Sequence, residues 1–208
     1  MFIFAVYDII RKKRGVNQVK IEDFDIFKNI PTIKTERLVL RRIEKRDLDD
    51  IFEYSNDSEV SRYLLWSKHE SKSETKAYLT RVIKKYKIGQ FFDWGIEYEG
   101  KMIGTCGFSK LDVLNDTAEI GYVLNRQFWG LGIAKEAASA IINFGFRTLS
   151  LLRIEARYIE DNLRSKRVLE KCGFTHEGVL RKSLKKNGFM KNVCTCSILS
   201  EDFFHQKT

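Results

Sequence analysis

The chain lacks the sequence features of a membrane-spanning protein, a disulfide-stapled protein and a metal protein. None of its 208 residues belongs to an apolar run of about 20 residues, the length that a spanning helix needs. Its four cysteines show no Cys-x-x-Cys spacing, and its three histidines are scattered along the chain. We therefore expect reduced, partly buried cysteines, no metal ion, no membrane span and a cytoplasmic location.

The first segment also lacks the order of a secretory signal. Residues 1–10 are apolar and the basic residues Arg11 to Arg14 follow them, whereas a signal places its charge first. We expect residues 1–33 to form an N-terminal extension that packs on the domain as an extra strand or helix. A weakly membrane-seeking surface arm is the alternative for this segment.

The charge balance is basic. Lysine and arginine outnumber aspartate and glutamate by 37 to 28, which gives a formal net charge of +9. Such a surface favours an anionic partner such as a nucleotide cofactor, RNA or an acidic surface, and a lysine-rich solubilising surface is the alternative. No RNA-recognition signature with its aromatic residues is present, so no motif points directly to nucleic acid.

Residues 34–208 are predicted to form one mixed α/β domain, because no repeat, low-complexity tract or linker interrupts them. Apolar residues alternate at strand spacing in some segments and recur at helical spacing in others. The predicted strands cover residues 36–43, 91–98, 101–108, 116–124, 152–158, 178–184 and 191–199. The predicted helices cover residues 45–54, 58–65, 71–86, 134–146 and about 162–171.

The most informative segment lies between the strand over 116–124 and the helix over 134–146. Residues 126–134 read Arg-Gln-Phe-Trp-Gly-Leu-Gly-Ile-Ala and place Gly130 and Gly132 directly before a helix. Two glycines there leave backbone N–H groups unobstructed at the positive end of a helix dipole. This arrangement is typical of a phosphate or pyrophosphate site, and a turn that only reverses the chain is the alternative.

Two common nucleotide-binding motifs are absent. The dinucleotide motif needs a third glycine where this chain has Lys135, and its fold needs repeated βαβ units. Glu155 lies at a suitable distance for a ribose contact, but the order of elements does not match that fold. The P-loop pattern Gly-x-x-x-x-Gly-Lys-Ser/Thr does not occur.

A different pattern does match, because residues 127–132 follow the form Gln/Arg-x-x-Gly-x-Gly/Ala. Four further stretches occur in order: Thr35 to Arg41 (TERLVLR), Ala118 to Tyr122 (AEIGY), Asn162 to Ser165 (NLRS) and Glu170 to Phe174 (EKCGF). With them, residues 34 to 203 resemble the GNAT superfamily of acetyl-CoA-dependent N-acetyltransferases, in its RimJ/RimL branch of ribosomal-protein N-terminal acetyltransferases. The resemblance implies a twisted, mostly antiparallel α/β sheet flanked by helices, whose fourth and fifth strands splay apart to admit the pantetheine arm.

The resemblance also implies that acetyl-CoA is the cosubstrate. Backbone N–H groups of residues 127–132 would cradle its pyrophosphate, and main-chain groups of residues 121–124 would pair with the pantetheine amides. The expected acetyl-CoA-binding residues are Gly121, Tyr122, Val123, Leu124, Arg126, Gln127, Phe128, Trp129, Gly130, Leu131, Gly132, Ile133, Ala134, Asn162 and Ser165.

Two residues are the candidates for proton transfer. Glu119, on the strand beside the splay, is the candidate base for the attacking amine, and an ordinary ion-paired glutamate is the alternative. In relatives with this Asn-x-x-Ser pattern, the asparagine contacts the CoA arm and the serine lies near its sulfur. Because the helix lacks the tyrosine of many GNAT enzymes, Ser165 is the candidate acid, and simple helix capping by Asn162 is the alternative. The amine would attack the thioester directly, with no acyl-cysteine.

These motifs do not determine the acceptor amine. Aromatic residues lie in the region that walls the acceptor side in relatives, and they are equally typical of a core: Tyr63, Trp66, Phe91, Phe92 and Trp94. A protein N-terminal α-amine of the ribosomal-protein type is the expected acceptor. A small amine or antibiotic, a non-catalytic acyl-CoA-binding module and a basic RNA- or ribosome-binding protein stay open as alternatives, as does a homodimer.

Overall fold

The computed structural model describes residues 27–90 and 92–205. Most of the predicted N-terminal extension therefore lies outside the described residues, and so does Phe91. Where the extension is described, Phe27 and Ile30 are buried in the core, and Trp94 Nε1 donates a hydrogen bond to Pro31 O at 2.7 Å. The domain boundary at residue 33 stays a prediction.

The strands of the described residues form a single eight-stranded sheet, and helices connect several of them. The strands are β1 (Ile33–Lys34), β2 (Leu38–Arg41), β3 (Asp93–Tyr98), β4 (Lys101–Asp112), β5 (Thr117–Leu124), β6 (Arg153–Ile159), β7 (Thr175–Lys186) and β8 (Phe189–Leu199). The α-helices are α1 (Leu48–Ser55), α2 (Ser58–Ser61), α3 (Lys72–Lys87), α4 (Ile133–Arg147), α5 (Leu163–Lys171) and α6 (Ser200–His205). Short 3₁₀ turns occupy Lys45–Asp47 and Arg126–Phe128.

The sheet confirms the predicted fold class. Its strand order is β1-β2-β3-β4-β5-β6-β8-β7, and the β5–β6 pair is parallel while the neighbouring pairs are antiparallel. The parallel pair arises because α4 forms the crossover connection between β5 and β6. Every predicted helix and strand is present with shifted ends, whereas β1 and α6 were not predicted.

Packing of α4 on the sheet forms the centre of the core. Its inward face carries Ile133, Ala137 and Ile141, all of which are fully buried. Gly145 lets the helix approach closely, because a Cβ at this position would lie 2.9 Å from Ile154 Cδ1 of β6. The close approach holds the last turn of α4 against β6 and β4.

The parallel strands β5 and β6 separate partway along their length. Their pairing runs from Thr117 opposite Arg153 to Ile120 opposite Ala156 and stops there. Beyond that point β6 continues to pair with β8, and residues 121–124 of β5 pair with β4 alone. These are the fourth and fifth strands of the predicted sheet, since β1 was not predicted, and the sheet opens between them.

Candidate active site

The turn between β5 and α4 contains a run of backbone N–H groups that donate no hydrogen bond to a described residue. Among the described residues, no acceptor binds the N–H groups of residues 130–135, and Glu136 N is the first in α4 to donate within the turn, to Gly132 O at 3.0 Å. By contrast, the N–H groups of residues 127–129 donate to Asn125 and Arg126 within the 3₁₀ turn. The available donors therefore begin at Gly130, at the positive end of a 15-residue helix.

Both glycines of this turn adopt a left-handed backbone conformation. Gly130 has φ of 83° and Gly132, the N-cap residue of α4, has φ of 78°. L-residues rarely adopt this conformation, so a side chain at either position would strain the turn. The glycines also leave the N–H groups without a neighbouring side chain to cover them.

A network from the connection between β1 and β2 holds this turn in place. Arg37 Nη1 donates to Leu131 O at 3.0 Å, and its Nε donates to Glu136 Oε2 at 2.7 Å. Glu136 Oε1 also accepts hydrogen bonds from Thr35 Oγ1 at 2.6 Å and from the Arg37 backbone N–H at 3.0 Å. Thr35 and Arg37 of the Thr35 to Arg41 stretch therefore bind the glycine turn and the first turn of α4, a role that the sequence does not indicate.

A second network fixes the start of the turn. Asn125 is buried, its Oδ1 accepts from Gln127 N at 3.0 Å, and its Nδ2 donates to Glu53 Oε1 at 2.8 Å. Lys101 Nζ donates to Glu53 Oε2 at 2.7 Å, and this hydrogen bond holds the pKa of Glu53 below its usual range. Sequence reasoning missed both Asn125 and Glu53, although an asparagine directly after a strand is a common capping signal.

The side chains of the turn point mostly away from the free N–H groups. Trp129 Nε1 donates to Leu124 O at 2.8 Å, and the guanidinium of Arg164 lies 4.5 Å from the centre of the Trp129 ring. Arg126 Nε lies 2.8 Å from Asp57 Oδ2, so the side chain of this expected acetyl-CoA-binding residue is paired with a carboxylate. Gln127 and Leu131 are exposed, and Ile133 is buried in the core.

The open end of β5 brings Tyr122 to the first turn of α5. Tyr122 Oη lies 2.9 Å from Ser165 Oγ and 3.3 Å from Ser165 O. Burial raises the pKa of Tyr122 above its usual range, so the phenol is neutral and able to donate. The backbone N–H of Ser165 donates to Asn162 Oδ1 at 3.2 Å, so capping uses the serine N–H and leaves its hydroxyl to Tyr122.

Glu119 lies on the opposite face of β5. Ser109 Oγ donates to Glu119 Oε1 at 3.2 Å, and Arg157 Nε lies 3.4 Å from Glu119 Oε2. The carboxylate is about one quarter exposed. Glu119 therefore forms the ion pair that the alternative to a catalytic base predicts. Its carboxylate is still accessible to a molecule that approaches the splay from this face.

The predicted aromatic wall divides between core and surface. Trp94 is fully buried and packs edge-on against Phe108 and Phe144, so it belongs to the hydrophobic core. Tyr63 is half-buried and lines a cavity of about 350 Å³ together with Ile159, Asp161 and residues of the β7–β8 hairpin. Lys186, which also lines this cavity, donates a hydrogen bond from Nζ to Trp66 O at 2.9 Å.

Other classes of site find no support in the described part of the chain. Over residues 27–90 and 92–205, no three histidine, cysteine, aspartate or glutamate residues cluster as metal ligands would. The same ranges contain no helix of the length and apolarity required to cross a membrane. Cys106, Cys194 and Cys196 are buried free thiols, and Cys172 is half-buried.

The known proteins that this chain resembles are described as acetyltransferases. Residues 37–175 match the family described as acetyltransferase (GNAT) domain. The chain is 36% identical over 174 residues to the uncharacterized N-acetyltransferase p20 of Bacillus licheniformis, which covers 83% of this chain and 98% of that protein. It is 28% identical over 178 residues to the putative ribosomal N-acetyltransferase YdaF of Bacillus subtilis, which covers 83% of this chain and 96% of that protein. A crystal structure of a GNAT-family acetyltransferase from Bacillus anthracis superposes with a TM-score of 0.74 at 29% identity, covering 82% of this chain and 99% of that one.

Proposed function

This chain belongs to the GNAT acetyltransferase family, and from that premise we propose that it transfers the acetyl group of acetyl-CoA to the N-terminal α-amine of a protein. The observation that carries the proposal is the run of free N–H groups over residues 130–135 at the head of α4. These donors would bind the pyrophosphate of acetyl-CoA. The unpaired edge of β5 beyond Ile120 would then bind the pantetheine amides as a neighbouring strand would.

The chemistry proposed for the site is direct acyl transfer. The neutral amine nitrogen attacks the thioester carbonyl carbon, and the C–S bond breaks as the new C–N bond forms. Glu119 takes the proton of the attacking amine, directly or through water. Ser165 Oγ gives a proton to the departing thiolate and regains one from Tyr122 Oη, which lies 2.9 Å away and takes a proton from water in turn. A backbone N–H of β5 would stabilise the oxyanion, a contribution of about 2.7–4 kcal/mol for one donor in other enzymes.

An α-amine suits this arrangement better than a lysine side chain does. The pKa of an α-amine lies near ~8, whereas that of a lysine lies near ~10.4, so much more of the α-amine is neutral near pH 7. Glu119 is the one carboxylate proposed to take the proton, so an acceptor that is already partly neutral suits the site. The similarity to a protein named as a ribosomal N-acetyltransferase supports a ribosomal-protein type of acceptor.

The test is to measure acetyl-CoA binding and then the release of CoA thiol with four acceptor classes. These are peptides with free α-amines, N-blocked lysine peptides, polyamines and aminoglycosides. We expect turnover with free α-amine peptides and at least about tenfold lower kcat/KM with the others. Binding without thiol release from any amine would instead identify a non-catalytic acyl-CoA-binding module. Preferred turnover of a small amine would overturn the protein-acceptor part of the proposal.

A further inference from the structure

The β7–β8 hairpin is more basic than the rest of the chain. Residues 178–200 contain no aspartate or glutamate, and they carry Arg181, Lys182, Lys185, Lys186 and Lys191. Lys191 pairs with Asp161 at 2.9 Å, and Lys186 donates to a backbone carbonyl. The other three cations form no ion pair with a described residue, so their charge is available to a partner.

Large apolar side chains are exposed on the same hairpin. Phe189 is 73% exposed, and Met190, Leu180 and Val179 are between 40% and 49% exposed. Successive strand residues point to opposite faces, so Phe189 shares a face with its partner Lys186, and Met190 shares the other face with its partner Lys185. Both faces of the hairpin therefore carry exposed apolar side chains beside basic ones. Strand β7 is also the last strand of the sheet, with no strand on its outer side among the described residues.

Protection of the sheet edge is a competing explanation for part of this pattern. Lysines and bulges on an outer strand prevent edge-to-edge aggregation, and β7 has a bulge between Leu180 and Leu184. That explanation accounts for the charges and for the bulge. It does not account for Phe189 and Met190, because these exposed residues lie on β8 and not on the edge strand β7.

The hairpin lies beside the route to Glu119. The cavity next to it is lined by Tyr63, Ile159, Asp161 and Phe189. Ile159 is on the same face of β6 as Arg157, two residues away, and Arg157 contacts Glu119. A molecule that reaches Glu119 along this face of β6 therefore passes the hairpin.

We propose that the β7–β8 hairpin docks an acidic, partly apolar segment of the acceptor polypeptide, beyond the residue that is acetylated. The proposal rests on the proposed function, because it takes the acceptor to be a polypeptide. A second copy of this chain would bring like charges together, and a polyamine would be repelled. An RNA is less well matched, since Phe189 is the one exposed phenylalanine, tyrosine or tryptophan of the hairpin strands and its apolar neighbours Val179, Leu180 and Met190 offer no flat surface for stacking on further bases.

The test compares two peptides with the same first four residues. One has a tail of glutamate and leucine, and the other has lysine in place of each glutamate. We expect KM for the acidic peptide to be lower by about tenfold or more at low salt, with a smaller difference at high salt. The double variant Arg181→Glu/Lys185→Glu should raise KM for the acidic peptide about tenfold and leave kcat and the KM for acetyl-CoA unchanged.

A matched control uses the exposed lysines of α3. The double variant Lys84→Glu/Lys87→Glu makes the same change in net charge and should leave both peptide KM values unchanged. Phe189→Ser should raise KM for the acidic peptide at unchanged kcat, which would show the apolar part of the docking.

Several results would overturn the docking proposal. Equal KM values for the two peptides would do so, as would equal effects of the hairpin and α3 variants. Aggregation of the hairpin variants with unchanged KM would leave edge protection as the role of the lysines. The hairpin would be a nucleic-acid surface if a single-stranded RNA bound more tightly than the acidic peptide and the hairpin variant lost that binding. It would be a self-association surface if the wild-type chain formed a dimer and the same variant did not. Failure to release CoA thiol with any amine would instead overturn the proposed function itself.

Discussion

At the scale of single residues, Glu119 has two partners and one open side. Its contacts with Ser109 and Arg157 hold the carboxylate at the splay, and the role of base stays a prediction. We expect Glu119→Gln to lower kcat/KM for an α-amine peptide at pH 7 by about 10²-fold or more and to leave acetyl-CoA binding unchanged. The defect should shrink above pH 8, because the amine then loses its proton without help.

The neighbouring Glu155 is the matched control for this variant. It lies directly opposite Glu119 on β6 and is also paired with arginine, so Glu155→Gln removes a similar charge from the same face. Rate measurements from pH 6 to pH 9 should show little effect of Glu155→Gln at any pH. A Glu119→Gln enzyme with wild-type rates over that range would rule out Glu119 as the base.

Ser165 and Tyr122 form a hydroxyl pair whose parts can be tested separately. We expect Ser165→Ala to lower kcat, Tyr122→Phe to lower it less, and the double variant to resemble Ser165→Ala, because both hydroxyls act in one transfer. The raised pKa of Tyr122 keeps it protonated, so it should contribute no loss of rate up to about pH 10.

The capping alternative predicts a different result for the same variants. Capping uses the Ser165 backbone N–H, which alanine retains, so a purely structural role would leave kcat of Ser165→Ala unchanged. Asn162→Ala is the complementary variant, and it should lower the free energy of unfolding by about 1 kcal/mol through loss of the cap. Thermal unfolding and steady-state kinetics on Ser165→Ala and Asn162→Ala separate the two roles.

At the scale of elements, the hydrogen bonds from Arg37 tie the start of β2 to the head of α4. We expect Arg37→Ala to weaken acetyl-CoA binding by about tenfold, because Leu131 O and Glu136 lose the group that orders the turn. Glu136→Gln should weaken binding in the same way, and the two changes should be non-additive in calorimetric titrations. Arg46→Ala breaks an exposed pair with Glu44 and should leave binding unchanged. Additive effects of the Arg37 and Glu136 changes would contradict this account.

Periodicity predicted the long elements and failed on the short ones. The α3 and α4 helices are amphipathic over several turns, and their predicted ends lie within one or two residues of the observed ones. The two-residue strand β1 is too short for any alternation to show, and it exists because Ile33 and Lys34 pair with β2. Strand β4 has a bulge near Ser109 and continues beyond it to Asp112, past the predicted end at residue 108. No local sequence pattern indicated this bulge.

At the scale of the whole molecule, the sequence motifs located the glycine turn between a strand and a helix, but they did not predict the hydrogen bonds that hold it. The glycine pattern located the turn, whereas the use of the N–H groups of residues 127–129 inside the 3₁₀ turn depends on Asn125. The Arg37 hydrogen bonds join residues about a hundred positions apart, and the Tyr122–Ser165 contact joins a strand to a helix. Such pairs follow from the tertiary fold, and a single sequence contains no local signal for them.

The central claim is that the turn over residues 130–135 binds the pyrophosphate of acetyl-CoA. The most direct test is a calorimetric titration of the full chain with acetyl-CoA and, separately, with acetyl-pantetheine, which has the same thioester arm and no pyrophosphate. We predict saturable binding of acetyl-CoA at one site, with acetyl-pantetheine weaker by about 10²-fold or more. Undetectable binding of acetyl-CoA, or equal affinity for the two ligands, would contradict the claim.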